Sequence, residues 1–210
     1  MAGPAVVADV ETLLGRARAL AAAGDRRLLG IAGPPGAGKS TLARRVVAAV
    51  GGEARLVAMD GFHLAGAELA RLGRAERKGG PDTFDAPGYV ALLRRLRAAG
   101  PDVVYAPAFR RAIEEPVAGA VAVPPGVPLV VTEGNYLLLD DPAWAPVRDL
   151  LDEAWFLAPS EDVRLARLVA RHEAHGRSPA AARAWAQGTD QRNAELVAAT
   201  RDRADVVVAL

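Results

Sequence analysis

The chain has 210 residues, with 26 Lys or Arg against 25 Asp or Glu, a formal net charge of +1 and no cysteine. The length suits one globular domain over residues 1–210, and the near-neutral balance gives no general attraction to nucleic acid or a membrane surface. Without cysteine there is no disulfide framework, no cysteine zinc site and no thiol nucleophile.

Residues 1–9 lack a basic start and meet acid at Asp9 and Glu11, so they do not read as a signal peptide and a cytoplasmic protein is expected. Val6, Val10, Leu13, Leu14 and Ala17 have helical spacing, which predicts a helix over 5–23. Residues 28–32 are a short apolar run ending at Gly33, read as a buried strand. A helix over 39–50 and a second buried strand over 55–59 follow. Residues 65–77 read as a polar helix, and 78–87 as a loop rich in Gly, Pro and Asp. Tyr89, Leu92, Leu93 and Leu96 share a helix face, residues 103–105 suggest an edge strand, and the proline-rich piece 116–128 a loop or short ribbon. The uncharged stretch 116–132 is broken by Pro124, Pro125 and Pro128 and does not fit a membrane span. Strands are expected over 128–132, 153–158 and 204–209, with helices over 160–175 and 179–200. Continuously apolar strands alternating with helices predict a three-layer α/β sandwich around a five-stranded, mainly parallel sheet. An oligomer is compatible with these features.

Residues 33–40, Gly-Pro-Pro-Gly-Ala-Gly-Lys-Ser, fit the phosphate-loop (Walker A) pattern between a strand and a helix. Its glycines let backbone N–H groups curl around phosphate oxygens, and the helix start adds free donors. The nucleotide-binding set is therefore Gly33, Pro34, Pro35, Gly36, Ala37, Gly38, Lys39, Ser40 and Thr41. Lys39 reaches the β- and γ-phosphates of ATP and counts as catalytic, while the Ser40 hydroxyl ligates Mg²⁺. Only Lys39 and Lys78 are lysines among the 26 basic residues. In an arginine-rich chain, a lysine at the phosphate loop marks a site where guanidinium does not serve. Neither lysine stands in an Asn-Lys-x-Asp guanine motif, which argues against a switch GTPase, and no transport-ATPase signature is present.

Two acids fall at strand ends. Asp60, in Met-Asp-Gly-Phe-His (59–63), faces the ligand crevice expected of an open α/β sheet and can accept a hydroxyl proton; it also fits a turn cap. Glu133, after the apolar run 130–132, is placed to hold Mg²⁺ directly or through water, and fits equally a buried acid paired with a cation.

With these pieces on the page, the chain resembles the P-loop kinases that include uridine kinase, pantothenate kinase, phosphoribulokinase and the fructose transport system kinase relatives. The likeness rests on residues 33–40, 59–63, 77–85 (RKGGPDTFD), 131–140 (VTEGNYLLLD) and 164–177 (RLARLVARHEAHGR). The resemblance implies a P-loop NTP hydrolase fold of the kinase type, with Asp60 as catalytic base, Glu133 near the metal, and an arginine lid over about 164–190 carried by Arg164, Arg167 and Arg171. Offsets of 0, 3 and 7 put the three arginines on one helix face beside an apolar stripe of Leu165, Leu168 and Val169. Taken alone, that face also fits a solvated basic helix paired with Glu161 or Glu173. Arg167 and Arg171 are assigned to catalysis and Arg164 to the nucleotide.

The acceptor-binding set is Asp60, Phe62, His63, Lys78, Asp85 and Tyr136. Residues 77–85 resemble the pantothenate kinase pattern more than that of the uridine kinases, which carry an aspartate for ribose hydroxyls where this chain has Gly79. Lys78 fits an anionic acceptor group or solvent, and His63 a pocket wall or a structural imidazole. Tyr105, Phe109, Tyr136 and Trp144 fit pocket or core. Many relatives carry Asp-Arg after the aromatic where this chain has Arg110-Arg111. His172 and His175 are spaced unlike a zinc site, and Asp190 and Asn193 carry no assigned role. The expected reaction moves the γ-phosphoryl group of ATP to a hydroxyl of a small metabolite (a sugar, nucleoside or pantothenate-like compound). The alternatives are a nucleoside monophosphate kinase, with Lys78 and Arg77 or Arg110 on the acceptor phosphate, and a non-catalytic ATP-binding regulator.

Overall fold

The computed structural model describes residues 3–174, 176 and 178–209; His175, at the end of the expected helix 160–175, lies outside the described residues. In chain order the elements are β1 (Ala5–Val7), α1 (Val10–Ala21), β2 (Arg27–Ala32), α2 (Lys39–Val50), β3 (Ala54–Ala58), α3 (Gly66–Arg71), α4 (Ala86–Ala98), β4 (Val104–Arg110), β5 (Glu115–Val123), β6 (Leu129–Gly134), α5 (Pro146–Leu150), β7 (Glu153–Leu157), α6 (Glu161–Ala174), α7 (Pro179–Gln187), α8 (Thr189–Ala198) and β8 (Val206–Val208).

Six strands form one parallel sheet in the order β1-β8-β7-β2-β6-β3. β6 and β8 are buried at every residue, and β2 and β7 at all but one, because helices cover both faces. Side-chain alternation along β2 divides the core. Leu29 and Ile31 pack with Leu13, Leu14 and Ala17 of α1 and Leu42 and Val46 of α2. Leu28 and Ala32 join a second cluster with Tyr89, Leu93 and Leu96 of α4, Trp144, and Val147 of α5. The result is the expected three-layer α/β sandwich.

Four expectations need correction. The sheet has six strands rather than five, because Ala5–Val7 adds a parallel edge beside β8 instead of opening a helix. Three residues are too few to show alternation, so Val6 merged with the helical spacing of α1. Residues 104–110 are not an edge of that sheet. They pair antiparallel with 115–123 in a separate ribbon, irregular between Ala106 and Ala108. The stretch 179–200 is two helices, since Gly188 (φ −97°, ψ −96°) leaves the helical region between α7 and α8. The polar helix over 65–77 is also shorter, ending at Arg71 before a 3-10 turn at Ala75–Arg77. Among the described residues no helix is long and apolar enough to cross a membrane.

The register positions the site. Glu133 on β6 stands opposite Ile31 on β2 and Ala58 on β3. Because the strands run parallel, their carboxyl ends deliver residues 33–38, Glu133 and Asp60 to the same edge.

Candidate functional site

The phosphate loop joins β2 to α2. Gly36 has φ +84°, and a Cβ there would lie 2.8 Å from the Arg164 carbonyl oxygen, so a side chain is excluded twice over. Gly38, at φ +96°, precedes α2 and supplies no side-chain cap, leaving the first N–H groups of the helix to face the loop.

Lys39 is buried, and its Nζ donates to the Pro34 carbonyl at 3.1 Å and to Asn135 Oδ1 at 2.6 Å. Burial pushes its pKa down; the charges of Glu133 and Asp60 oppose that, and Arg171 adds to it. The Ser40 hydroxyl donates to Glu133 Oε1 at 2.8 Å. Glu133 is itself buried, and desolvation raises its carboxyl above the ordinary glutamate range, with the Asp60 charge adding to the rise. Two hard oxygen donors with an acid short of positive charge fit Mg²⁺.

Asp60 sits in the 3-10 turn Met59–Phe62 after β3 and keeps 38% of its side chain exposed, enough for an acceptor to reach it. Across it stands Arg111, from the turn of the β4–β5 ribbon, with Nη2 3.8 Å from Asp60 Oδ2. The ribbon closely abuts this turn: a Cβ on Gly61 would lie 2.5 Å from the Pro107 carbonyl oxygen. His63 Nδ1 lies 2.9 Å from the Asp60 carbonyl oxygen, and its ring packs on Phe84 and Phe109, with centroids at 4.0 and 4.8 Å. Burial pushes the imidazole pKa down. Lys78 lies 5.2 Å from the Phe109 ring centroid and donates to the Glu114 carbonyl at 2.6 Å.

One cleft of about 990 Å³ runs from the phosphate loop to these aromatics. It brings together Pro35 to Thr41, Asp60, His63, Lys78, Glu133, Arg167 and Arg171 of the predicted set. The other predicted residues sit apart from its walls. Gly33 packs against the β7 backbone, and the Pro34 carbonyl accepts from Lys39 Nζ at 3.1 Å. Arg164 is 1% exposed and turned to the back of the loop, held by Glu161, Gln191 and the Pro35 carbonyl. Phe62 packs edge-on to Tyr89, with centroids 5.2 Å apart. Asp85 caps α4 by accepting from the Gly88 N–H at 2.9 Å. Tyr136 is fully buried, and its hydroxyl donates to the Gly79 carbonyl at 2.5 Å.

The cleft also contains residues that sequence reasoning did not assign. Asn135 holds Lys39, and Arg111, rather than Arg110, reaches Asp60. His172 of α6 meets Asp190 of α8 at 2.7 Å, and Asn193 Nδ2 approaches the Gly79 carbonyl at 3.4 Å. A weak signal for Asn135 was available: it is the next residue but one after Glu133 at the end of β6.

A phosphate loop at a parallel strand end, with acids at the ends of the next two strands in the sheet, defines a P-loop nucleotide-binding protein. No protein-family model matches the chain. It is 39% identical over 153 residues to the ATP-dependent kinase-like protein notR' of Aspergillus versicolor, covering 68% of this chain and 88% of that one. It is 36% identical over 179 residues to a protein of Schizosaccharomyces pombe provisionally named a uridine kinase, covering 81% of this chain and 76% of the relative. The crystal structure of a protein from Silicibacter sp. TM1040, provisionally named a fructose transport system kinase, matches with a TM-score of 0.86 and 36% identity over 96% of this chain and 99% of that one. The chain belongs to the P-loop kinases of the uridine kinase and pantothenate kinase superfamily. It is an ATP-dependent kinase of small molecules.

Proposed function

We propose that the cleft is the active site, with the phosphates of ATP along residues 33–41 and the acceptor hydroxyl facing Asp60. The observation that carries this reading is the exposed Asp60 carboxylate in the same cleft as the buried Lys39 and Glu133. Asp60 accepts the hydroxyl proton or orients it, with Arg111 Nη2 3.8 Å from its Oδ2. Lys39, Arg167 and Arg171 supply positive charge where charge shifts during phosphoryl transfer. Ser40 and Glu133 would hold Mg²⁺, which neutralises phosphate charge when bound. The stretch 164–190 serves as the lid of a single-domain, cytoplasmic enzyme, its closure excluding water and limiting wasteful hydrolysis.

The acceptor is a hydroxyl compound of the sugar, nucleoside or pantothenate class. Gly79 lines the cleft and offers no carboxylate to ribose hydroxyls, and its carbonyl already accepts from Tyr136 and Asn193. That weighs against uridine. Labelled ATP with a panel of nucleosides, sugars, pantothenate and nucleoside monophosphates tests the reading. A labelled product from a hydroxyl acceptor supports it, and ATP binding with no product from any member contradicts it.

A further inference from the structure

Two consecutive residues at the end of β6 hold opposite ends of the cleft. Asn135 Oδ1 accepts from Lys39 Nζ at 2.6 Å, in the phosphate loop. Tyr136 donates its hydroxyl to the Gly79 carbonyl at 2.5 Å, in the loop 77–85 that closes the acceptor side. Neither side chain is free to let go cheaply. Tyr136 is completely buried, and its ring packs against Trp144 and Phe84, with centroids at 5.5 and 5.7 Å. Asn135 and Tyr136 are adjacent in the chain, so the two holds share one stretch of backbone. A buried hydroxyl that loses its partner leaves a desolvated polar group, which penalises any arrangement that separates Tyr136 from Gly79.

Gly79 has φ +99°, and its carbonyl is one of several holds on the segment. Within it, the Gly79 N–H donates to Thr83 Oγ1 at 3.0 Å, and Thr83 donates to the Gly80 carbonyl by both its N–H and its hydroxyl. From outside, Trp144 Nε1 donates to the Pro81 carbonyl at 3.2 Å, Arg74 Nη1 to the Asp82 carbonyl at 2.7 Å and the Leu64 N–H to the Thr83 carbonyl at 2.9 Å. The Tyr136 hold adjoins the residue that contacts Lys39. Asn193 adds a longer contact from α8.

We infer that Asn135 and Tyr136 are positioning residues that couple the phosphate loop to the acceptor loop, so that nucleotide phosphates fixing Lys39 also order residues 77–85. Lys39 has three N–H donors, of which two go to Pro34 and Asn135; the third remains for a phosphate oxygen. A phosphate that pins Lys39 restricts Asn135, and through the shared backbone restricts Tyr136 and Gly79. By linkage, an acceptor that orders the loop strengthens nucleotide binding by the same factor. This inference rests on the reading of residues 33–41 as a nucleotide phosphate site.

The test is amide hydrogen exchange on peptides covering residues 77–85, with and without the non-hydrolysable ATP analogue AMP-PNP and Mg²⁺, alongside calorimetry of AMP-PNP binding. In the parent protein the analogue slows exchange of this segment. Tyr136→Phe keeps the ring in its packing and removes only the hydroxyl. It is expected to bind AMP-PNP within about threefold of the parent, yet to show the same segment exchange with and without it. A merely structural tyrosine would shift both states alike and preserve the response. Asn135→Ala breaks the other hold and is expected to abolish the response too, which keeps the test open should the first variant not fold. A parent that binds AMP-PNP without any change over 77–85, or a Tyr136→Phe protein that responds like the parent, overturns the coupling. A parent that does not bind AMP-PNP overturns the nucleotide reading itself.

Discussion

Ser40 and Glu133 are 93 residues apart in sequence, and the Ser40 hydroxyl donates to Glu133 Oε1 at 2.8 Å. The pair exists because β2 and β6 are parallel neighbours, with Ile31 opposite Glu133, so the helix start after one strand meets the end of the other. A buried acid with one hydroxyl partner keeps oxygen lone pairs that fit the proposed divalent cation.

Glu133→Gln separates the charge from the shape. The raised pKa of Glu133 means that the folded chain binds this proton more tightly than the unfolded chain does. Its contribution to stability is complete below the ordinary value of 4.5 and is lost as pH rises through the folded pKa. Glutamine has no such loss. Without nucleotide or Mg²⁺, the variant should melt above the parent at about pH 8, and the gap should close as pH falls below about 4.5. Each kcal/mol of charge-burial cost relieved corresponds to about 2–4 °C in a chain of this size. Turnover should fall, and its Mg²⁺ requirement should rise. Thermal scans over pH and a Mg²⁺ titration of the rate check both.

Arg164 and Arg171 should behave oppositely, although both lie on α6. Arg171 lines the cleft, so Arg171→Ala is expected to lower kcat by about 10²–10³, the scale of losing a donor to developing charge. Arg164 is buried behind the loop, and Arg164→Ala removes hydrogen bonds to Glu161, Gln191 and Pro35. That loss should cost about 1–3 kcal/mol, or roughly 2–12 °C in Tm, with any rate effect recovered on cooling. Steady-state kinetics and melting of the two variants side by side distinguish the roles.

His63 sets an acid limit on the fold. Desolvation lowers its pKa below the ordinary 6.5, so its stabilising contribution is present above that value and is lost as pH falls through the folded pKa. The unfolded chain takes up the proton first. His63→Phe keeps an aromatic ring against Phe84 and Phe109 and removes the titration. The Tm advantage of the variant over the parent should therefore grow as pH falls below 6.5, a trend read directly from paired melting curves.

Much of this was legible in the chain. Five strands of the sheet, the phosphate loop and both strand-end acids follow from apolar runs that end in Gly33, Asp60 and Glu133, because a parallel strand and its carboxyl-end residue are contiguous in sequence. What escaped was set by tertiary convergence. β1 is three residues whose pairing with β8 has no local pattern. Arg111 reaches Asp60 only because the ribbon folds over Gly61, and the His172–Asp190 pair needs the chain to reverse at Gly188. The arginine spacing correctly predicts a shared helix and cannot say that Arg164 turns behind the loop while Arg167 and Arg171 face the cleft. Tyr136 was read as an acceptor contact; the structure buries it with its hydroxyl on Gly79.

The central claim is that Asp60 takes or orients the proton of the acceptor hydroxyl. Asp60→Asn leaves the size of the side chain unchanged and removes its basicity. Once the panel has identified the acceptor, phosphoryl transfer by this variant is predicted to fall by about 10²–10⁴, with AMP-PNP affinity close to that of the parent. Transfer within about tenfold of the parent would contradict the assignment.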